Sequence, residues 1–171
     1  MTDSTPAIFL DMDETLLHYT YEWEGDTCVP AAAVLCGGFI LLRPHVTECL
    51  RKLAARADVY VFSAGSPEYV EAALKASRLH VFVDGFFSSR VDNFLPTKDR
   101  QWILVDDLPA MHENTLEKLR QLARWDDTLP TPAHVHKIPP WTGDPADRVL
   151  AHLPVILEAR LDPLLDPWGS H

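Results

Sequence analysis

Three short apolar runs, each stopping abruptly at polar residues, constrain this chain more than any other feature. Ala7-Ile-Phe-Leu10 runs into Asp11 and Asp13, Val59-Tyr-Val-Phe62 into Ser63, and Trp102-Ile-Leu-Val105 into Asp106-Asp107. Near-continuous apolar runs of this length are those of strands covered on both faces, as in a parallel sheet flanked by helices. The intervening segments supply the helices. After Arg43-Pro44, the residues Val46, Leu50, Leu53 and Ala54 recur at helical spacing. Pro67 and Glu68 open a second helix, to about Ser77, with Ser66 placed to cap it. A third is expected over Leu116 to Trp125, and an amphipathic last one over Asp147 to Leu161. Val81 to Phe87 and His134 to Ile138 read as further strands. Ala31 to Cys36 and Phe39 to Leu42 flank Gly37-Gly38, which suits a tight hairpin. Strands alternating with helices imply an α/β fold with a largely parallel central sheet and the hairpin as a small insert.

A length of 171 residues fits one domain spanning 1–171, with its core over about 7–161 and an irregular tail over 162–171, where Pro163, Pro167 and Gly169 fall. The 25 acidic residues outnumber the 15 Lys and Arg, giving a formal charge of -10. That balance argues against nucleic acid or an anionic membrane as the main partner, and requires any phosphate site to be made locally positive. Cys28, Cys36 and Cys49 are too few, and odd in number, for a disulfide framework, so a reducing cytoplasm is expected, or the nucleus in a eukaryote. No basic segment precedes an apolar run at the start of the chain. No stretch approaches the roughly 20 apolar residues of a membrane span. Neither a secretory signal nor a membrane helix is expected.

Ligands of open parallel sheets bind beyond the carboxyl ends of the strands. Here those ends carry Asp11 and Asp13, Ser63, and Asp106 with Asp107, while Lys98 precedes the third strand on a loop able to reach the same rim. One strand-end Asp is an ordinary turn residue; the repetition on three strands is what points to a site. Four converging carboxylates repel one another unless a cation joins them, and oxygen-only ligands suit Mg2+. Alternate residues of an extended segment face the same way, so Asp11 and Asp13 can address one substrate. Asp11 could attack phosphorus while Asp13 protonates the leaving oxygen and later takes a proton from water, dividing hydrolysis into two steps through an aspartyl-phosphate. Ser63, Lys98 and Thr15, which completes the Asp-x-Asp-x-Thr spacing, are the candidates for holding the phosphoryl group.

Asp11-Met-Asp-Glu-Thr-Leu-Leu-His18 resembles the first motif of haloacid-dehalogenase-superfamily phosphatases, and more narrowly of the branch containing the small phosphatases of the RNA polymerase II C-terminal domain. Arg43-Pro-His-Val46, Val61-Phe-Ser-Ala64, Lys98-Asp99, Ile103-Leu-Val-Asp-Asp-Leu-Pro109 and Pro140-Trp141 are similar to that branch in the same order, so the resemblance covers Ile8 to Leu161. It implies a Rossmann-like core without a large cap, Asp11 as nucleophile and Asp13 as acid/base. It also implies magnesium held by Asp11, the Asp13 backbone carbonyl and the fourth motif, and a phosphoryl group held by Ser63 and Lys98. Two positions depart from the branch. Asp106-Asp107 stands where Asp-Asn is frequent, leaving open which of the two is the direct ligand, and Ser63 stands where Thr is common.

The expected function is a magnesium-dependent phosphomonoester hydrolase acting on phosphoserine or phosphothreonine in proteins, since a capless site admits a macromolecule. A small phosphorylated metabolite is the alternative substrate, and a polypeptide-binding scaffold that has lost activity is the alternative class. Retention of Asp11, Asp13, Ser63, Lys98 and Asp106 favours the enzyme. Among the remaining polar and aromatic residues, His18 either touches substrate or holds the first loop. Tyr19, Tyr21 and Trp23 either pack or line a peptide groove. His134-Val-His136 reads as the solvated face of a strand rather than as a metal pair.

Overall fold

The computed structural model describes residues 5–22, 31–35, 37–88, 102–108 and 135–165. In chain order the elements are β1 (Ala7–Leu10), β2 (Leu17–Thr20), β3 (Ala31–Leu35), β4 (Gly38–Leu42), α1 (Val46–Ala54), β5 (Asp58–Phe62), α2 (Pro67–Ala76), a 3-10 helix (Leu79–Phe82), β6 (Gly85–Phe87), β7 (Trp102–Asp106), β8 (Val135–Lys137) and α3 (Val149–Leu165). Five strands form the central sheet in the order β6-β5-β1-β7-β8, and every pairing in it is parallel. Leu10 pairs with both Val61 and Val105. The three apolar runs therefore end level, and Asp11, Ser63 and Asp106 come to one rim.

Period-2 alternation divides the strands between two apolar layers. Ile8, Leu10, Val59, Val61, Ile103 and Val105 join Leu50 of α1, Leu74 of α2 and Leu150, Leu153, Leu157 and Leu161 of α3 in one cluster. Ala7, Phe9, Trp102 and Leu104 form another, with Tyr60, Phe62 and Phe87 against it. Phe9 stacks on Tyr60 at 5.5 Å and meets Trp102 edge-on at 6.0 Å. Each fully buried side chain of this size stabilises the fold by about 1.5–3 kcal/mol, so the central strand is the most strongly held part of the sheet.

The insert is larger than a hairpin. β3 and β4 pair antiparallel as the sequence indicated, but β2 joins the other edge of β4, giving the order β2-β4-β3. Gly37 takes a left-handed φ of 81°, whereas Gly38 already belongs to β4. A Cβ on Gly38 would lie 2.6 Å from the Tyr19 ring, so this glycine provides room for a cross-strand tyrosine.

Several boundaries differ from the sequence reading. Val81 to Phe87 is not one strand: the chain makes a 3-10 helix after Arg78, at φ 61°, and only Gly85–Phe87 pairs with β5. Leu79 is fully buried while Val81 is 64% exposed, so this apolar run never has two covered faces. On α1, Cys49 is buried and Ala54 exposed; burial pushes the Cys49 thiol up to about 12. α3 starts later and runs on through Pro163 to Leu165. The tail expected to be irregular over 162–171 is therefore helical over 162–165, and the rest of it lies outside the described residues. Ser66 caps α2 as expected, its hydroxyl accepting from the Tyr69 N–H at 3.3 Å. The helix expected over Leu116 to Trp125, together with Lys98, Trp23 and His134, lies outside the described residues. Among the described residues, no helix is long and apolar enough to cross a membrane.

Candidate active site

The first loop is built tightly on the end of β1. Asp11 N–H still donates to the Val105 carbonyl at 2.8 Å, extending the ladder by one residue. The chain then turns: Leu16 N–H reaches Met12 O at 2.9 Å, and Glu14 N–H reaches Leu17 O at 2.8 Å. Glu14 takes a left-handed φ of 62°, which costs a non-glycine residue roughly 1–2 kcal/mol. Met12, Leu16 and Leu17, all fully buried, anchor the turn. A pocket of about 160 Å3 opens at this rim, lined by Asp11, Asp13, Glu14, Ser63, Asp106 and Asp107 among others. A larger hollow of about 390 Å3 lies between α1 and α3, lined by Arg51, Leu53, Pro154 and Val155 among others. That hollow has no comparable gathering of acids and hydroxyls, so the chemistry belongs to the smaller one.

Carboxylate oxygens of Asp11, Asp106 and Asp107 all lie within 4.8 Å of one another. Burial raises Asp11 well above the ordinary carboxylate value, with Asp106, Asp107 and Asp13 adding to the rise in that order. Burial, then Asp106, likewise raises Asp107. The Asp13 carboxyl stands apart from this trio: its Oδ1 accepts from the Tyr69 hydroxyl at 2.5 Å. Burial raises Asp13 too, partly offset by hydrogen bonds from Tyr69 and Ser63 and by the nearby His18. Three close acids, Asp11 half-buried and Asp106 and Asp107 buried, with no nitrogen or sulfur donor in the group, fit a hard divalent cation such as magnesium rather than zinc.

Raised carboxyl values mean that the folded, metal-free protein holds protons the unfolded chain has released. The stability that these three carboxyls contribute is therefore fully present below the ordinary value of 3.8 and is lost as pH rises through the raised values. A cation competes with those protons. Magnesium at about a hundred times its Kd should add about 2.7 kcal/mol, or about 5–10 °C in Tm, at pH 7, and little at pH 4. Melting curves at the two pH values check this; an equal shift at both would place the ion elsewhere.

Comparison with known proteins falls in line with this geometry. The family model described as NLI interacting factor-like phosphatase matches residues 6–166. The chain belongs to that family. No curated protein sequence matches it. Among solved structures it resembles Fcp1, described as an essential RNA polymerase II CTD phosphatase, with a TM-score of 0.52 and 14% identity over 98% of this chain and 67% of that one. It also resembles a haloacid dehalogenase-like family hydrolase from Xanthomonas campestris, with a TM-score of 0.55 and 11% identity over 96% of this chain and 99% of that one. At such identities the likeness establishes the fold, a haloacid-dehalogenase-type α/β core, and the family match makes the chain a phosphatase.

Within this NLI interacting factor-like domain, the residues singled out from sequence take distinct places. Ser63 is buried at the pocket wall and its Oγ accepts from Gly65 N–H at 3.0 Å. Thr15 is fully buried and outside the pocket lining. Its hydroxyl makes no hydrogen bond of ordinary geometry, yet lies close enough to Asp11 to offset a little of that acid's rise. Asp106 and Asp107 both reach the acidic trio, and Asp106 Oδ1 also accepts from Leu108 N–H at 2.9 Å. His18 holds the first loop: its Nδ1 lies 2.8 Å from Glu14 Oε1, and its ring meets Trp141 edge-on at 6.5 Å. Tyr19 packs between Tyr69 and Tyr21, while Tyr21 is 72% exposed. Tyr69 itself was not singled out. Its place in the first turn of the helix after Ser63 is the signal that could have found it, because that turn must rise from the same rim.

Proposed function

We propose that the chain is a magnesium-dependent phosphomonoester hydrolase working through an aspartyl-phosphate on Asp11, with phosphoserine and phosphothreonine side chains of proteins as its substrates. The observation that carries this reading is the separation of two acids that leave β1 two residues apart. Asp11 lies among Asp106 and Asp107, where a cation would keep it ionised. Asp13 is held by Tyr69 and Ser63, in an environment that favours its protonated form. Environments that divide two carboxyls in this way assign one as nucleophile and the other as acid.

The steps balance as follows. An Asp11 oxygen bonds to phosphorus as the ester oxygen–phosphorus bond breaks, and the proton on Asp13 passes to the leaving oxygen. Asp13, now a carboxylate, then takes a proton from a water that attacks phosphorus. This releases inorganic phosphate and restores both acids. Asp11, Asp106, Asp107 and the Asp13 main-chain carbonyl would hold magnesium, which when bound would supply charge neutralisation for the phosphoryl oxygens. Ser63 and Lys98 hold those oxygens, and Thr15 acts on them through Asp11.

The protein substrate class draws support from the CTD phosphatase activity named for Fcp1. Asp13→Asn is expected to slow phosphoserine-peptide turnover about 10^2–10^4-fold while still accumulating phosphate on Asp11 from an aryl phosphate, detectable by mass spectrometry of the quenched protein. Undiminished peptide turnover by that variant would remove Asp13 from the role. Turnover of phosphorylated metabolites in preference to phosphopeptides would overturn the substrate class.

A further inference from the structure

We infer that Tyr69, seated by Gly65, is a positioning residue that decides which oxygen of Asp13 carries the transferred proton; this deepens the acid/base reading of Asp13 and rests on it. The Tyr69 hydroxyl donates to Asp13 Oδ1 at 2.5 Å, across 56 residues of sequence. In a protonated carboxyl the carbonyl oxygen is the good acceptor and the hydroxyl oxygen the donor. A phenol donating to Oδ1 therefore leaves the proton on Oδ2. Once that proton has left, the same bond persists to a carboxylate and strengthens, as hydrogen bonds to ionised acceptors do. Asp13 is thereby held in one orientation through both halves of the cycle, as an acid that must become a base requires.

The tyrosine is itself fixed from three sides. Its N–H donates to Ser66 Oγ at 3.3 Å in the helix cap. Its ring meets Tyr19 edge-on at 6.2 Å. Its third neighbour is Gly65, where a Cβ would fall 2.8 Å from Tyr69 Cδ1 and 3.2 Å from Ser63 Oγ. Gly65 is not among the residues with positive φ, so glycine serves here for space and not for backbone freedom. A methyl group at that point has to displace the root of the ring rather than a flexible end, and so draws the hydroxyl off Asp13.

The test compares Tyr69→Phe and Gly65→Ala on two esters. p-Nitrophenyl phosphate has a leaving group that departs without a proton, whereas a phosphoserine peptide does not. Tyr69→Phe should lower kcat on the peptide about 10–100-fold with KM little changed. The pre-steady-state burst of nitrophenolate should fall by less than about threefold, because that step needs no acid. Gly65→Ala should show the same selectivity. The double variant should be no worse than the worse single, since both changes remove one bond. Equal losses on the two esters, no loss on either, or additive losses would overturn the inference. Asp13→Asn run alongside separates the two levels. If Asp13→Asn discriminates between the esters and Tyr69→Phe does not, the positioning role fails while the acid/base reading stands. If Asp13→Asn does not discriminate, the acid/base reading fails and the inference falls with it.

Discussion

Asp11→Asn is expected to abolish turnover, with kcat falling by about 10^4–10^6-fold as for other enzymes stripped of a nucleophile, while the metal-free protein becomes more stable. The two effects share one cause. Asp11 is buried among Asp106, Asp107 and Asp13, and both its burial and those neighbours raise it well above the ordinary 3.8. A carboxyl raised in the folded state contributes stability below 3.8 and gives it up as pH climbs through its folded value. Asparagine does not titrate, so Tm of the metal-free variant should fall less steeply between pH 4 and pH 8 than that of the unaltered protein. Magnesium should raise the variant's Tm less, because one of the three carboxylates proposed to hold it has lost its charge. On the proposed roles, Asp11 is a stability liability that a bound cation would relieve, the usual relation between a catalytic group and its fold. A variant that retains turnover would place the nucleophile elsewhere. One that loses turnover but keeps the steep pH dependence would show that the repulsion does not centre on Asp11.

Which parts of this were legible in the sequence follows from the range of the forces involved. The central strands were legible because burial on both faces leaves an uninterrupted apolar run, and β1, β5 and β7 fall within one residue of where those runs lie. The Asp11–Asp13 spacing and the acids after β7 were legible because the chemistry demands residue types at strand ends. By contrast, β2 is four residues long with only Leu17 fully buried, so its own pattern is too short to declare a strand. Its identity comes from pairing with β4 more than twenty positions away. The 3-10 helix at Leu79–Phe82 was hidden for the opposite reason: its residues are as apolar as those of a strand, but only the fold shows that Val81 faces solvent. Tyr69 was passed over because nothing local records that Asp13 lies across from its hydroxyl. Composition reports burial and spacing reports chemistry; partnerships across the fold are recorded in neither.

Arg43 is the strongest instance of such a partnership, and Arg43→Ala is expected to cost about 3–5 kcal/mol, or roughly 6–20 °C in Tm for a chain of this length. From sequence, Arg43-Pro44 marked the end of the hairpin and opened one of the motifs that carry the family resemblance, with no role for the arginine itself. In the fold the guanidinium is fully buried and all five of its N–H groups find acceptors. Nε and Nη2 bind the two oxygens of Asp147 at 3.0 and 2.9 Å, Nη1 reaches the carbonyls of Glu14 and Thr15 at 3.2 and 3.3 Å, and Nη2 also reaches Pro139 O at 3.0 Å. Asp147 Oδ1 in turn accepts from Val149 N–H at 3.0 Å, at the start of α3. One side chain thus ties the first catalytic loop, the segment before Trp141 and the last helix together. Truncation takes the Arg43 donors from the Thr15 and Pro139 carbonyls and from Asp147 Oδ2, while Glu14 O keeps the Trp141 N–H and Asp147 Oδ1 keeps the Val149 N–H; an uncompensated buried charge still costs far more than an exposed ion pair contributes. Arg43→Lys should recover only part of the loss, because an ammonium has three donors and no planar fork to match a carboxylate. Since the Glu14 and Thr15 carbonyls held by Arg43 lie within two residues of Asp13, kcat should fall with stability even where the variant is fully folded. Chemical denaturation of the two variants, with kcat measured at a temperature where both remain native, decides the matter: a cost for Arg43→Ala below about 1 kcal/mol would reduce the cluster to the worth of a surface pair.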